Sequence, residues 1–471
     1  MYFLFVSSVE VRMTRSSELR IAFIVEPLPV RSGPEDFEWP FLHFCSIAEA
    51  LNRSGAAKTY IFGPDQLINK YQICCHGIKG STLGFDQSWP KRWRQEWTNF
   101  LNGQDNHKVS LISEIIAREL IDVVYIWSKN DTLRKASIEG GARVIHVELS
   151  PIRSPMGLYW MLDPDGVGPD SLASEMIVGN EFSKRSDLNL NYCLSDLISD
   201  QSLRLKTASN RKKRLLVPLQ LDYDINTILW NSYGNQYKSL KELLLNLANY
   251  RDIDLTVRSH PASKRDYSTL VKLHAPEANY VTGATPLWES LTHWDGVIHV
   301  NSSVGFEAQL LSMNVCSLGA GLTSRMTASG KYGTKIESFI KSSVLSDDPS
   351  NNVEGARNFE ILRKYFTVPD FIANKPSTYA LVASAITSFP GSTKSWFQTC
   401  GLQETLKNSQ IQRLEYEIAS LRAQNHYRIL DYKSHEGLHA TNQKYIDELR
   451  SENQIRIDEI RFLGEKIRSM P

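Results

Sequence analysis

The sequence predicts an α/β protein with two sheet-and-helix domains in series, followed by a coiled-coil helix. Short apolar runs, typical of strands buried on both faces, alternate with amphipathic stretches, typical of helices that cover a sheet. This alternation starts near residue 19 and begins again near residue 214, which indicates two domains. From residue 411 onward, a seven-residue repeat replaces it. A chain of 471 residues is long enough for two cores and an extension.

The first domain is predicted from four apolar runs and the helices between them. We expect strands at 19–25 (LRIAFIV), 58–62, 121–127 (IDVVYIW) and 142–148 (ARVIHVE), with helices at 42–53 and 110–120. Strands that alternate with helices at this spacing are typical of a parallel sheet. We therefore place a Rossmann-like domain at residues 20–205, after an N-terminal extension at 1–19.

The second domain repeats this pattern. We expect strands at 214–220 (RLLVPLQ), 253–258, 296–301 (GVIHVN) and 315–318, and helices at 237–250, 286–292 and 303–312. We place this second Rossmann-like domain at residues 206–400. In sheets of this type, ligands bind beyond the carboxyl ends of the strands, so residues directly after strands are the candidates for function.

Residues 401–471 are predicted to form a coiled coil. One heptad register runs from Ile411 to Ile467, with isoleucine at many a positions and leucine at several d positions near both ends. Isoleucine at a with leucine at d favours a parallel dimer, and a trimer stays open. Polar residues such as Asn425 and His435 occupy the middle of the repeat. The alternative is a single amphipathic helix packed on the body.

Composition limits the classes of partner and the compartment. With 53 basic and 52 acidic side chains the net charge is +1, so bulk electrostatics give no case for nucleic-acid binding. Six cysteines without a CxxC pair disfavour a zinc site and fit a reducing compartment. The apolar stretch at the N-terminus is too short to span a bilayer. We expect a cytoplasmic protein without a transmembrane segment; peripheral binding at the inner membrane face is the alternative.

Acidic and basic side chains follow two of the predicted strands. Glu148 closes one strand and Arg153 comes five residues later, where its forked donors suit an anionic substrate. Asp222 and Asp224 follow the strand at 214–220, where a carboxylate can act as a nucleophile or a base. The structural alternatives are a capping pair for Glu148 and Arg153, and a helix N-cap for the two aspartates.

Two further strand ends suit a phosphate. Arg258 and His260 belong to an R-S-H-P segment, and arginine with histidine binds phosphate well. The segment N-S-S-V-G-F-E-A at 301–308 joins a strand to a helix, where hydroxyls and backbone N–H groups bind anions. The alternative for this segment is a cap, with Ser303 at the N-cap and Glu307 four residues later.

The order and spacing of four segments resemble the retaining β-Kdo transferases of bacterial capsule and lipopolysaccharide assembly, over residues 20–370. Residues 147–176 look like their E-D-G-F-x-R-S, D-x-x-G and P-S-x-L-E segments, and 217–224 like P-L-Q-x-x-x-D. Residues 258–261 look like R-x-H-P, and 300–321 like S-S-x-G-F-E-A-L-L-x-x-x-V-x-x-x-G. Three departures concern the acceptor loop: Leu149 replaces the family's aspartate, Ser150 and Pro151 replace its Gly-Phe pair, and the last glutamate of P-S-x-L-E is absent.

The resemblance implies a GT-B architecture and a mechanism. The donor is then CMP-β-Kdo, and retention proceeds by double displacement through an aspartyl–Kdo intermediate. Asp224 aligns with the family's acid and Asp222 is its alternative, while Glu148 is the base that activates the acceptor. Arg153 pairs with the Kdo carboxylate. The remaining substrate-side candidates are Ser154, Gln220 and Arg258. The candidates for CMP binding are His260, Pro261, Asn301, Ser302, Ser303, Gly305 and Glu307. No catalytic metal or cofactor is expected.

The implied acceptor is a glycan of a bacterial surface polysaccharide, such as capsule or O-antigen. Transfer that terminates the glycan chain with Kdo is one form of the implied activity. A polymerising glycosyltransferase is the implied protein partner, and self-association is expected through residues 411–467. Two other classes stay open. One is the same architecture with another donor, such as CMP-sialic acid or a UDP- or GDP-sugar. The other is a non-catalytic scaffold that acts through its coiled coil.

Overall fold

The computed structural model describes residues 18–26, 37–71, 73, 75–85, 93–152, 158–179, 212–222, 224–231, 233–283, 294–310, 313–322, 332–344, 352–407, 451, 454 and 458. Four predictions lie outside these residues: the coiled coil at 411–467, apart from three isolated positions, the helix at 286–292, the domain boundary at 205/206, and the positions of Arg153 and Ser154. These stay predictions.

Twelve strands and sixteen α-helices are defined within the described residues. The strands are β1 (Arg20–Ile24), β2 (Lys58–Gly63), β3 (His76–Lys79), β4 (Val123–Trp127), β5 (Arg143–Leu149), β6 (Tyr159–Asp163), β7 (Lys213–Pro218), β8 (Ile253–Arg258), β9 (Asn279–Val281), β10 (Gly296–His299), β11 (Asn314–Ser317) and β12 (Thr367–Pro369). The helices as far as the second parallel sheet are α1 (Glu38–Ser54), α2 (Asp65–Tyr71), α3 (Trp93–Leu101), α4 (Asn106–Arg118), α5 (Asp131–Glu139), α6 (Leu172–Val178), α7 (Ile225–Leu229), α8 (Gln236–Leu247), α9 (Ser268–His274) and α10 (Ser303–Leu310). The later ones are α11 (Tyr332–Phe339), α12 (Asn352–Ile361), α13 (Asp370–Ala373), α14 (Pro376–Ser388), α15 (Thr393–Thr399) and α16 (Gly401–Lys407).

The chain divides into two compact units. Unit 1 comprises Met1–Trp127, Asp131–Val144 and Lys375–Trp396, and unit 2 comprises Ser128–Asn130, Ile145–Asn374 and Phe397–Pro471. None of the helices in the described ranges is long and apolar enough to cross a membrane.

Unit 1 is built on four parallel strands in the order β3-β2-β1-β4. Ile24 at the end of β1 stands opposite Phe62 of β2 and Ile126 of β4, so these strands end together at one edge. The apolar runs predict this arrangement correctly, because strands covered on both faces need apolar side chains on both. Helices α1 and α14 pack together in this unit, where His43 Nε2 lies 2.9 Å from the Tyr379 hydroxyl.

Unit 2 contains a five-stranded parallel sheet in the order β11-β10-β7-β8-β9. Its core is apolar and includes one face of α8, with Leu240, Leu243 and Leu244 buried. Because all five strands run in the same direction, the loops after β7, β8, β10 and β11 leave the sheet at one edge. These loops hold most of the predicted site residues.

Unit 2 also contains an antiparallel part that the sequence does not predict. Residues 146–149 of β5 pair antiparallel with β6, and β12 pairs antiparallel with β6. The α/β class with parallel sheets is thus confirmed, and the antiparallel strands are an addition to it. The bounds of all the predicted strands agree with the structure within two residues, and the largest differences are at the start of β4 and at the ends of β7 and β10.

Candidate active site

Asp222, in the loop after β7, is held in place by two side chains of the loop after β8. Asp222 Oδ1 accepts a hydrogen bond of 2.6 Å from the Tyr267 hydroxyl, and its Oδ2 lies 3.5 Å from a guanidinium nitrogen of Arg265. The Asp222 side chain is 14% exposed. Burial, and then the hydrogen bond to Asp222, hold the pKa of Tyr267 well above its usual range, so the phenol stays a donor. Both oxygens of Asp222 are therefore engaged.

Two residues farther along, Asp224 takes part in a different interaction. Its backbone N–H donates to the Leu221 carbonyl over 3.2 Å, which closes a turn after the strand. Burial lowers the pKa of His260 and the charge of Asp224 opposes that change, so the two side chains are close enough to interact electrostatically. The structure thus brings together two residues that the sequence assigns to different roles in the site.

The loop after β8 is fixed against the end of β9. Arg258 is buried and donates from Nη2 to the Gly283 carbonyl over 3.2 Å, while the Gly283 N–H donates to Ser259 Oγ over 3.1 Å. A side chain at Gly283 would place its Cβ 2.3 Å from the Ser259 carbonyl oxygen and 2.7 Å from Pro261 N. Glycine is therefore required here, and it lets the R-S-H-P segment lie against the backbone of the next strand.

His260 is neutral at pH 7 and has a defined tautomer. Burial lowers its pKa from 6.5, the charge of Asp224 opposes this, and Arg258 lowers it further. His260 Nδ1 accepts a hydrogen bond of 3.1 Å from the Ala262 N–H, so the ring proton resides on Nε2. The group that His260 presents for a ligand is accordingly an Nε2–H donor.

The β10–α10 connection carries the polar segment at 301–307. Asn301 Nδ2 donates to the Ala320 carbonyl over 3.1 Å, which ties this loop to the loop after β11. Ser302 Oγ accepts from the Val304 N–H over 3.3 Å, and α10 begins at Ser303. The cap is therefore Ser302, and the interpretation of Ser303 as the N-cap is wrong, because the helix begins one residue earlier than that pattern requires.

Glu307 interacts with Arg258 across the edge of the sheet. Glu307 is 8% exposed and Arg258 is 6% exposed. Burial lowers the pKa of Arg258, and the nearby charge of Glu307 opposes that change. Removing two opposite charges from water costs a large desolvation free energy, and the attraction between the charges offsets part of it. This pairing joins the loop after β8 to α10.

The need for glycine at position 305 comes from its contact with His299, which is not among the residues that the sequence predicts for the site. A Cβ at Gly305 would lie 2.0 Å from Nε2 of His299, the last residue of β10, so the imidazole packs directly on the first turn of α10. Burial lowers the pKa of His299 to about 3, and this ring is therefore neutral. The only signal in the sequence is a histidine that ends an otherwise apolar strand.

Glu148 lies on another strand from the residues above. It stands in β5, and its Oε1 accepts a hydrogen bond of 2.9 Å from the N–H of Leu149. Next in the chain, Ser150 is buried and its hydroxyl accepts from the Ile152 N–H over 3.1 Å. Arg153 and Ser154, the predicted partners for the donor sugar, lie outside the described residues.

A fully buried carboxylate, Asp163, organises the loop between β6 and α6. Its Oδ1 accepts from three backbone N–H groups, at 2.8 Å from Asp165, 3.2 Å from Gly166 and 3.1 Å from Leu172, and its Oδ2 accepts from Ala173 at 2.8 Å. Burial raises the pKa of Asp163 to about 7 even against these donors. The sequence signal is the D-P-D-G stretch at 163–166, which lies within the segment that resembles the family's D-x-x-G.

A lysine and a tryptophan connect this loop to the five-stranded sheet. Lys129 is 3% exposed, forms an ion pair with Asp170, and lies 5.6 Å from the ring centroid of Trp230. A Cβ at Gly168 would lie 2.2 Å from the Trp230 ring, so the indole packs on the backbone of the loop. The Trp230 carbonyl accepts from the N–H of Ala320 over 3.3 Å. Because the Ala320 carbonyl accepts a hydrogen bond from Asn301, Trp230 and Asn301 are both bonded to the same residue.

In the part of the chain that the structure describes, no group of three or more His, Cys, Asp or Glu side chains is arranged to hold a metal ion. The expectation that catalysis needs no metal remains a prediction. The arrangement itself offers a neutral histidine donor, a buried arginine and a capped helix N-terminus at one edge of a sheet. Such an edge is suited to a phosphate, because each of these groups donates hydrogen bonds or adds positive charge.

One comparison with known proteins matches part of the chain. Residues 186–326 match a family model described as "Capsule polysaccharide biosynthesis protein". This span runs from before β7 to beyond β11 and includes the loops after β7, β8 and β10. A comparison with curated proteins finds no match.

Several solved structures are remotely similar to the chain. A β-Kdo 2,7 transferase, KpsC from Thermosulfurimonas dismutans, is similar at 14% identity and a TM-score of 0.37, covering 63% of this chain and 89% of that one. Its β-Kdo 2,4 transferase is similar at 19% identity and a TM-score of 0.35, covering 50% and 79%. A structure described as a UDP-N-acetylglucosamine 2-epimerase from Listeria monocytogenes is similar at 12% identity and a TM-score of 0.30, covering 74% and 94%. TM-scores of this size do not by themselves show a shared fold.

Proposed function

We propose that this chain, whose residues 186–326 match the capsule polysaccharide biosynthesis model, is a retaining glycosyltransferase that moves Kdo from CMP-β-Kdo to a glycan acceptor. The observation that carries the proposal is the grouping of Asp224, His260 and Arg258 at one edge of a parallel sheet, inside the matched span. The choice of Kdo rests on the resemblance of the four sequence segments.

The CMP part of the donor is assigned to the loops after β8 and β10. His260 donates from Nε2 to a phosphate oxygen, and Ser302 and Ser303 present hydroxyl and N–H groups at the start of α10. Glu307 accepts hydrogen bonds from the ribose hydroxyls while it balances the charge of Arg258. Asn301, Gly305 and Pro261 shape the loops that carry these groups, and Gln220 lies at the sugar side.

The nucleophile is assigned to Asp224. Asp222 is the poorer candidate, because the Tyr267 hydroxyl and Arg265 engage both of its oxygens. In the first step the Asp224 carboxylate forms a bond to the anomeric carbon of Kdo while the bond from that carbon to the CMP phosphate breaks. In the second step an acceptor hydroxyl gives its proton to Glu148 and attacks the same carbon, which releases Asp224 and restores the original configuration.

The assignment is tested by trapping the intermediate. Enzyme incubated with CMP-Kdo and no acceptor is analysed as intact protein, and we expect a mass increase of one Kdo residue. Peptide mapping should place the adduct at 220–226, and Asp224→Asn should not form it. An adduct on Glu148 would exchange the roles of the two acids. Turnover of CMP-Kdo without any adduct would exclude double displacement.

The donor is tested separately from the mechanism. Release of the nucleotide is measured with CMP-Kdo, CMP-sialic acid, UDP-glucose and GDP-mannose under the same conditions. We expect release from CMP-Kdo in the presence of a Kdo-terminated glycan. Release from one of the other donors instead would support a glycosyltransferase that uses that donor. No release from any donor would favour the scaffold alternative.

The proposal includes self-association through residues 411–467 and a location in the cytoplasm. The test compares the full chain with a chain truncated after Lys407 by light scattering. Truncation should not come earlier, because Leu402 and Leu406 of α16 are buried. We expect the full chain to be a dimer or trimer and the truncated chain a monomer. Identical masses for both would remove the coiled coil as the cause of association.

A further inference from the structure

Trp39 stands out by its exposure. Its side chain is 50% exposed. Among the other tryptophans whose burial the structure describes, Trp294 is partly buried, and five are at 9% or below: Trp97, Trp127, Trp160, Trp230 and Trp396. Single exposed apolar residues are common on protein surfaces and need no explanation of their own. A half-exposed tryptophan at the second position of a helix therefore indicates a binding site only if its ring is fixed and its location suits a ligand.

The ring of Trp39 is held from below by other aromatic rings of unit 1. It meets Trp127 nearly at a right angle, with 5.6 Å between the ring centroids, and lies nearly parallel to His43 at 6.4 Å. Trp127 in turn meets Phe44 at 6.1 Å, and Phe44 lies 5.2 Å from Phe23. Contacts of this kind fix the orientation of the indole, so the exposed part of its ring is a rigid surface.

The place of Trp39 is the ligand edge of the parallel strands of unit 1. Ile24 near the end of β1 stands opposite Ile126 of β4, so Trp127 is the last residue of β4 at the carboxyl edge. Trp39 lies over this residue at the start of α1, the helix that follows β1 in the chain. Ligands of open parallel sheets bind beyond this edge.

We propose that Trp39 is a stacking platform for one pyranose ring of a glycan, and, resting on the proposed function, that this ring belongs to the acceptor. The C–H groups on one face of a pyranose carry partial positive charge, and they fit the negative face of an aromatic ring. The size of the exposed surface agrees with a single ring. On α1 the next exposed apolar side chain is Leu42 at 39%, whereas stable protein interfaces bury about 800 Å² on each partner.

The platform is tested by saturation-transfer NMR with methyl α-glucopyranoside, methyl α-galactopyranoside and methyl α-mannopyranoside. We expect at least one of them to receive saturation mainly on the ring protons of one face. Trp39→Ala should weaken its binding about tenfold, which corresponds to the upper range for an aromatic contact. Trp39→Phe should keep most of the binding, because it keeps an aromatic face.

The matched control is Ile138→Ala, which removes a 52% exposed side chain near the end of α5 in the same unit and should leave binding unchanged. Thermal unfolding of each variant shows that the fold is kept. Binding of CMP is measured in the same proteins and should not respond to Trp39→Ala. Failure of CMP binding in the parent protein would count against the proposed function alone. Sugar binding that persists in Trp39→Ala, or no saturation of any glycoside by the parent protein, would overturn the platform.

Discussion

Two loops of unit 2 carry acids directly at or after the end of a strand, and the partners of these acids differ. Asp163, which ends β6, is fully buried and receives four hydrogen bonds from backbone N–H groups of its own loop. Asp222 and Asp224, after β7, are partly exposed and interact with side chains of the loop after β8. The first acid shapes its own loop, whereas the other two join two different loops.

The difference teaches how a structural carboxylate can be told from a chemical one. Backbone donors cannot move without unfolding the loop, so Asp163 is committed to holding the loop in shape. Side-chain partners and partial exposure leave an acid able to exchange a protein partner for a substrate. By this criterion Asp163 is suited to stability, and both Asp222 and Asp224 are suited to chemistry. Of these two, Asp222 is the poorer candidate, because Tyr267 and Arg265 hold both of its oxygens.

The largest effect is expected for Asp224→Asn. An amide cannot form the ester to the sugar, so the rate of CMP release from CMP-Kdo should fall by a factor of about 10⁴, or about 5 kcal/mol in activation free energy. Asp222→Asn is the matched control, and it should reduce the rate by less than about tenfold because an amide still accepts from the Tyr267 hydroxyl. A larger loss in Asp222→Asn than in Asp224→Asn would reverse the two roles.

Asp163→Ala should show the next largest effect, in stability. The substitution leaves four buried N–H groups without their acceptor, and each such group costs about 1 kcal/mol or more unless water replaces the carboxylate. We expect the free energy of unfolding in urea to fall by about 4 kcal/mol. Asp222→Ala removes a carboxylate that water can reach and should cost about 1 kcal/mol. Equal losses for the two variants would contradict the distinction between the loops.

The packing of the Asp163 loop on Trp230 is tested by a pair of glycines. Gly168→Ala places a Cβ 2.2 Å from the indole, so either the loop or the ring must move, and we expect a loss of about 2 kcal/mol in the free energy of unfolding. Gly166→Ala is the control, because its Cβ would meet its nearest neighbour, the backbone of Ser171, at 3.9 Å. Similar losses in both variants would show that backbone conformation rather than the tryptophan determines the cost.

The sequence predicts the parallel strands well, because strands that are buried on both faces leave continuous apolar runs such as IDVVYIW. It also predicts polar residues after β7, β8 and β10, and the structure brings Asp224, Arg258 and His260 close together. These successes share a cause: in a parallel sheet, the position of a residue along the chain determines the edge to which it belongs.

The parts that the sequence does not predict depend on packing in three dimensions. The role of Asp163 is set by backbone donors up to ten residues away, and no pattern of residue types reveals where those N–H groups point. His299 and Gly305 belong together only because the ring fits where a Cβ is missing. The antiparallel strand β6 is short, and its run YWMLD could equally form a buried helical turn, since periodicity does not separate the two over five residues.

The smallest effect is a pH dependence that should arise in the loop after β8. Burial lowers the pKa of His260 below 6.5, so the free protein holds a neutral ring at pH 7. A bound phosphate favours the protonated ring and raises this pKa, so binding takes up a proton. Affinity should therefore increase a few-fold as the pH falls from 7.5 to 5.5, a window that spans the ordinary pKa of about 6.5.

The measurement is calorimetry with cytidine 5′-methyl phosphate, a phosphodiester that does not titrate in this window. His260→Gln removes the titrating group and should give a nearly constant affinity. Because the pKa of His260 is lowered in the folded state, the free energy of unfolding decreases as the pH falls below the unfolded value of about 6.5. Unfolding must therefore be monitored in parallel. Asp163 titrates in the same range, with its pKa raised to about 7, but it should affect only stability, which this acid decreases as the pH rises from about 4 to 7. If His260→Gln kept the pH dependence of binding, the response would belong to another group, and His260 would lose its place beside the phosphate.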